Sequence, residues 1–309
     1  MEIKEYIDEF FNNSKRIKIY NSYEPYNLLL MRRYYEKNNI ECVEASDTDL
    51  DLYLKFFTNV KYLHLSSEAN HLEEVNNLKN LKGISLCNNQ LKEIDDDILE
   101  NIEYLELFYY DKKQVDFSKF KSLKHLRLLR YPFDYLEIKN DLYTFEIDYA
   151  PKLNILNGVN TNNLRNLKLE NIRNLQRIEL ECPKLSSFYI YDSKKVINLE
   201  SFLEQCKLLE SIVIISYTDT NANLKSLQFI TELNLLEEFR TNFRILDGDL
   251  KPLLKLKEVA ICRFYRNYNL KDKDLPHITV CITEGNFGYR VRLDSLALGK
   301  DDPRIMWLE

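Results

Sequence analysis

One spacing of apolar residues recurs along the chain: apolar, two variable positions, apolar, one variable position, apolar. It begins at Val60, Leu81, Ile102, Leu123, Leu142, Leu164, Leu185, Leu209, Leu236, Leu256 and Leu275. The starts lie 21, 21, 21, 19, 22, 21, 24, 27, 20 and 19 residues apart, too regular a series for chance. Only Thr241 interrupts the apolar set. Alternation over the last apolar positions predicts a short strand with one buried face. The stretch between strands must return the chain so that the next strand lies beside the last. Each repeat then buries its apolar side only against its neighbours, which predicts a solenoid with a parallel sheet along one wall.

The connections differ along the chain. Leu153 and Leu175 fall half a period after their strands and are expected to fill the core from the opposite wall. Leu199 to Leu208 and Leu224 to Leu235 carry apolar residues three and four apart and predict helices. Upstream, Ile40 to Ala45 fits the strand pattern 20 residues before Val60, and Arg16 to Tyr20 reads as one more strand. Helices are expected over Asp47 to Phe57 and Tyr26 to Lys37. Ile3, Tyr6, Ile7, Phe10 and Phe11 would form an amphipathic cap, with Tyr289 to Leu293 and Met306 to Leu308 closing the other end. The expected organisation is a single domain over 1–309: cap and first irregular unit at 1–38, repeats at 40–282, C-terminal cap at 283–309.

The repeat starting at Leu81 reads Leu81-Lys-Gly-Ile84-Ser-Leu86-Cys-Asn-Asn89-Gln-Leu91. This resembles the leucine-rich-repeat family, and the likeness extends over at least residues 60–281. The resemblance implies an α/β solenoid: a horseshoe with a parallel concave β-sheet and a mixed helical and extended convex side. It also implies that Asn89 caps the turn after its strand. The equivalent positions elsewhere are Glu68, Tyr110, Tyr131, Ala150, Ile172, Tyr217 and Phe264, so no continuous asparagine ladder is expected.

Composition narrows the function classes. Gly and Pro number only 6 and 7 in 309 residues, which disfavours glycine-rich phosphate loops and long flexible linkers. Residues 1–155 hold 28 acidic and 21 basic side chains, the remainder 21 and 22; a nucleic-acid partner would call for a clustered basic face. The charged opening Met1 to Glu5 and the shortness of apolar runs such as Ile212 to Ile215 predict neither a signal peptide nor a membrane span. Six scattered cysteines without a CxxC pair fit free thiols and a cytoplasmic location.

Candidate chemistry is sparse. His64 and His71 are seven apart across a strand-to-loop change, not a metal-ligand spacing, and Cys87 is expected two strands from His125. Asp95 to Asp97 reads as a helix start, Asp301-Asp302 as a solvated loop, and Gly285 to Gly288 as a turn. No catalytic residue, metal site or cofactor is expected. What remains is the variable face of the sheet. Tyr104, Phe108, Tyr143, Tyr189 and Tyr191 offer apolar anchors, and Arg127, Glu146 and Lys168 paired charges, of the residue types that anchor interfaces. The reading is a non-enzymatic module, monomeric when free, that binds another protein on this concave face. An immunity protein neutralising a cognate toxin is its sharper form. The alternative is a substrate-recognition adaptor or host-directed effector of leucine-rich-repeat type.

Overall fold

The structure, a computed structural model, describes residues 16–20, 41–46, 50, 54, 57, 59–109, 111–193, 196–216, 222–261, 267–271 and 274–275. Both expected caps, the helix over Tyr26 to Lys37, the strand after Leu275, and the Gly285 and Asp301 segments lie outside them. Contacts divide the chain into two compact units, one formed by 1–132 and 139–145, the other by 133–138 and 146–309.

In the first unit, β1 (Arg16–Tyr20), β2 (Cys42–Ser46), β3 (Tyr62–Leu65), β4 (Gly83–Cys87), β5 (Tyr104–Phe108) and β6 (His125–Leu129) lie side by side in sequence order. Every pair is parallel and in the register that the repeat dictates. Leu63 faces Ile84, Ile84 faces Leu105, and Leu105 faces Leu126. These four are at most 3% exposed. Between strands the chain makes 3-10 turns, Leu72–Asn77, Asn88–Glu93 and Phe117–Lys119, each returning the chain within a few residues. The Asp95 to Asp97 run opens the four-residue helix Asp96–Leu99, as expected from acidic residues at a helix start. Leu50, Leu54 and Phe57 are buried, while the rest of the helix expected over Asp47 to Phe57 lies outside the described residues.

The second unit holds β7 (Tyr135–Ile138), β9 (Ile155–Gly158), β10 (Asn166–Glu170), β11 (Arg177–Glu179), β12 (Ser187–Tyr191), β13 (Ser211–Ile215), β14 (Asn223–Leu224), β15 (Glu238–Thr241), β16 (Arg244–Ile245) and β17 (Glu258–Ile261). The strand β8 (Thr144–Asp148) gives its first two residues to the first unit and the rest to the second. Strands β10, β12, β13, β15 and β17 pair in parallel, aligning Leu167, Phe188, Ile212, Phe239 and Val259 in one row that is 0% exposed throughout. Thr241 occupies a core position at 0% exposure; its Oγ1 accepts the Phe243 N–H at 3.0 Å, so the hydroxyl is buried with a partner.

The opposite wall of this unit is itself a sheet. Strands β7, β9 and β11 pair in parallel, with Leu136, Leu156 and Ile178 in register and buried. Leu153 and Leu175, the half-period leucines, are 0% exposed beneath it. Of the two predicted helices, one forms: Leu199–Gln205 packs Phe202 against Phe188 with ring centroids 5.7 Å apart. The other does not. Leu224 to Leu235 begins with the short strand β14, paired to β16, and continues as a 3-10 turn, Gln228–Glu232. Leu224, Leu227, Ile230 and Leu233 recur every three residues, a period that suits three residues per turn as well as an α-helix.

The family signature at Asn89 is not what caps its turn. Asn89 is exposed, while Asn88 and Gln90 are 6% and 4% exposed. The Asn88 amide donates to Asp111 Oδ1 at 2.6 Å and to the Lys113 carbonyl at 3.1 Å, tying its repeat to the next. Gln90 accepts the Cys87 N–H at 2.8 Å and donates to the Ser66 carbonyl at 2.9 Å, tying it to the previous one. The 3-10 turn starts at Asn88, directly after the strand, and this rotates Asn89 outward.

Candidate interaction face

Core positions alternate with positions on the other face of the long sheet, and the interface candidates belong there or at the ends of its strands. In the first unit β4 presents only Gly83, Ser85 and Cys87 on that face, and larger neighbours lie down over them. A Cβ on Gly83 would stand 2.2 Å from Tyr62 Cδ1 and 3.3 Å from Tyr104 Cβ. Tyr62, Tyr104 and Cys42 form a small buried cluster here, Tyr104 being 7% exposed. Tyr104 is thus part of the floor of this face. Gly83→Ala is expected to force the Tyr62 ring aside and to cost about 1–3 kcal/mol, the usual range for overpacking, read by urea denaturation. Tyr62→Ala in the same chain should relieve most of that clash.

The middle row is polar. Glu106, 8% exposed, accepts from Ser85 Oγ at 2.9 Å through one oxygen. Its other oxygen accepts from Arg127 Nη1 at 2.8 Å and from the Tyr104 hydroxyl at 3.4 Å. Phe108 remains half-buried and meets His64 edge-on, centroids 6.5 Å apart.

Tyr143 stands one residue before β8, so it is outside the row that Tyr104 and His125 share. Thr144 takes that place: its Oγ1 lies 2.7 Å from His125 Nδ1. Tyr143 is half-buried at the beginning of the strand, edge-on to His125 at 6.2 Å, with the Lys124 ammonium 5.5 Å from its ring centre. Counting the third position of each repeat would have found Thr144 from sequence.

Burial, helped by the Lys124 charge and opposed by Glu103, pushes the His125 imidazole down to about 4. The folded protein therefore keeps it neutral where an unfolded chain would protonate it near 6.5. Stability from this residue is present above pH 6.5 and is lost as pH falls from about 6.5 to about 4, by at most about 3 kcal/mol. His125→Gln is expected to flatten that part of the stability profile in denaturation series run across this window. An unchanged slope would remove His125 as its source.

In the second unit Lys168 pairs with Glu170 at 3.1 Å, its ammonium 5.9 Å from the Tyr191 ring centre. Tyr191 is 6% exposed, another floor residue. Tyr189 is half-buried between Lys168 on β10 and Val213 on β13. Glu146, on β8, is also half-buried. Beyond Val213, Arg240 lies between Glu238 and Glu258, paired with both, the latter at 2.8 Å. Ser211 Oγ donates to the same Glu238 at 2.6 Å. The Arg240 cluster was not singled out in the sequence, although Arg between two glutamates at equivalent repeat positions is visible there.

Three buried thiols are held in the protonated form. Burial pushes Cys182 and Cys206 up to about 12 and raises Cys87 as well. His125 faces Tyr104 and Tyr104 faces Gly83, so the row of His125 meets β4 four residues before Cys87. A Cys–His nucleophile is not assembled by these two residues. Among the described residues no group of three or more His, Cys, Asp or Glu is placed to hold a metal ion. Among them, too, no helix is long and apolar enough to cross a membrane.

Repeat, register and buried rows together decide the architecture. The fold is that of a leucine-rich repeat. No protein-family model matches the chain, and no curated protein sequence matches it. Among solved structures it is similar to TLR13 in the TLR13–ssRNA13 complex, at 15% identity and a TM-score of 0.42 over 86% of this chain. It spans 50% of that chain, about half its length. It is also similar to an internalin (InlF) from Listeria monocytogenes str. 4b F2365, at 15% identity and a TM-score of 0.38, covering 78% of this chain and 68% of that one. Neither likeness adds to what the chain's own register shows.

Proposed function

We propose that this protein is a non-enzymatic binding module that engages another protein through the face of its long sheet turned away from the core. The observation that carries the reading is the character of that face. Tyr189 stands half-buried between Lys168 and Val213, over a floor that includes the buried Tyr191. Tyrosine with a charged rim is what interface centres are made of. In the first unit the corresponding residues are Phe108, Tyr143 and Arg127, with Tyr104 beneath; in the second, Tyr189, Glu146 and Lys168, with Tyr191 beneath.

The test is a pull-down with the full chain as bait, partner identification by mass spectrometry, and calorimetry of the purified pair. Substitutions in the two sets are made separately, so that each is judged on its own. Arg127→Ala, a charge with 36% side-chain exposure, is expected to weaken binding less than loss of an aromatic anchor. The sharper form of the proposal is an immunity protein: growth arrest by a toxin encoded next to its gene should be relieved by co-expression. If the partner is instead a ubiquitin ligase subunit or a host protein, the adaptor or effector reading replaces it.

A further inference from the structure

The edge at which the chain enters the strands of the first unit carries a groove of about 580 Å³. Two rows of side chains line it, one residue per repeat. Asn59, Asn80 and Asn101 directly precede the first apolar residue of their repeats. Glu41, Lys61 and Lys82 stand one residue before β2, β3 and β4, and Glu103 holds the same place before β5. Backbone bonds fix this second row. The Lys61 N–H donates to the Glu41 carbonyl at 2.9 Å, Lys82 to Lys61 at 2.7 Å, and Glu103 to Lys82 at 2.7 Å. Neighbouring entries are about 4.8 Å apart, so the groove crosses about 14 Å of sheet edge.

The charges along it are uneven. Lys61 and Lys82 are neighbours, and like charges on adjacent strands repel. Each pairs outward, Lys61 with Glu41 at 2.7 Å and Lys82 with Glu103 at 3.0 Å, so the row holds no carboxylate between them. Their side chains stay 48% and 44% exposed. Lys79, exposed and without a carboxylate partner among the described residues, brings a third ammonium to the same groove. The asparagine row supplies a way to hold a backbone, and the fold already uses it elsewhere. Asn198 accepts the Ile178 N–H at 3.1 Å and donates to the Ile178 carbonyl at 2.8 Å. Asn242 does the same for Ser216, at 2.9 and 2.7 Å. An asparagine side chain has two donors and two lone pairs, so a bond already made, as from Asn101 to the Asp97 carbonyl at 2.8 Å, leaves capacity for a ligand. We infer that this groove receives a short, extended, acidic segment of a protein partner. Its carboxylates would meet Lys61, Lys79 and Lys82 by charge-assisted hydrogen bonds, and its backbone the asparagine row. Glu41 and Glu103 confine the basic stretch to three lysines, too few for the phosphate run of a nucleic acid. The inference shares with the reading above only the class of ligand, and adds a second contact on the first unit.

The experiment pans a phage-displayed library of random peptides against the full chain. Selected peptides are titrated against wild type, Lys61→Gln/Lys79→Gln/Lys82→Gln, Lys79→Gln, Asn80→Ala and Tyr189→Ala. The expected peptides are rich in Asp and Glu and lose affinity as salt is raised. The triple variant should bind them about tenfold or more weakly, Lys79→Gln and Asn80→Ala several-fold, and Tyr189→Ala like wild type. Lys79→Gln breaks no ion pair, so it carries the test even if the triple variant melts early. No selected peptide, peptides without acidic residues, or wild-type binding by Lys79→Gln or Asn80→Ala would each overturn the inference. A single-stranded RNA oligonucleotide that displaces the peptides and binds more tightly than they do would overturn it too. If the groove fails in one of these ways while the partner from the pull-down still loses Tyr189→Ala, the reading of the sheet face stands. If the acidic peptides behave as expected and that partner ignores Tyr189→Ala, the face fails and the groove stands.

Discussion

Leu167→Ala is expected to destabilise the protein by about 2–5 kcal/mol, the range for leucines truncated in a packed core. Leu167 is 0% exposed and sits in the row that continues through Phe188, Ile212 and Phe239, so no neighbour can collapse into the vacated space without leaving its own contacts. Leu105 and Leu126, at 0% and 3%, hold the same position in the first unit and should behave alike. Because a repeat is held by its neighbours, adjacent repeats should lose protection in hydrogen exchange along with the substituted one. Lys168→Ala, one residue on and 37% exposed, should change stability by no more than about 0.5 kcal/mol. Urea denaturation separates the two. Equal losses at Leu167 and Lys168 would mean that the strand faces are assigned the wrong way round.

Glu106→Ala should cost about 1–3 kcal/mol, far more than its place on the variable face suggests. The sequence makes Glu106 the counterpart of Lys168 and predicts a mild effect for both. In the structure it is 8% exposed and accepts from Ser85, Tyr104 and Arg127. Removing it takes a carboxylate acceptor from the Arg127 guanidinium and from the Ser85 and Tyr104 hydroxyls. Arg127 keeps some access to water, which holds the expected loss below that of a fully buried pair. The double variant Glu106→Ala/Arg127→Ala should lose less than the two single losses added, since the second truncation removes a group whose carboxylate partner the first took away. Strict additivity in that cycle would show that the two side chains do not act together.

The core rows were legible because the apolar period sets them directly: a strand one residue out of register would turn Leu63, Ile84, Leu105 and Leu126 to the wrong face at once. Even Arg16 to Tyr20 and Cys42 to Ser46 were readable as strands from five or six residues each. The returns were less so. Apolar residues recurring at three, as from Leu224 to Leu233, suit a 3-10 turn or an α-helix; of the two helices expected over Leu199 to Leu208 and Leu224 to Leu235, the first became α-helical, at Leu199–Gln205. The three-stranded wall of β7, β9 and β11 left one sign, the leucines at half period. The candidate site was legible as a face but not as a relief map. Tyr104 and Tyr191 lie low in the sheet because Gly83 leaves room beside one and Lys168 covers the other.

Calorimetry of the identified partner against Tyr189→Ala tests most directly whether the outward face of the sheet is where this protein binds. Tyr189 is half-buried, so the variant should fold, which a melting curve verifies beforehand. The account predicts a loss of about 2 kcal/mol or more in binding free energy, as for a central aromatic anchor. A folded Tyr189→Ala that binds the partner as tightly as wild type would contradict it and move the search to the wall built by β7, β9 and β11.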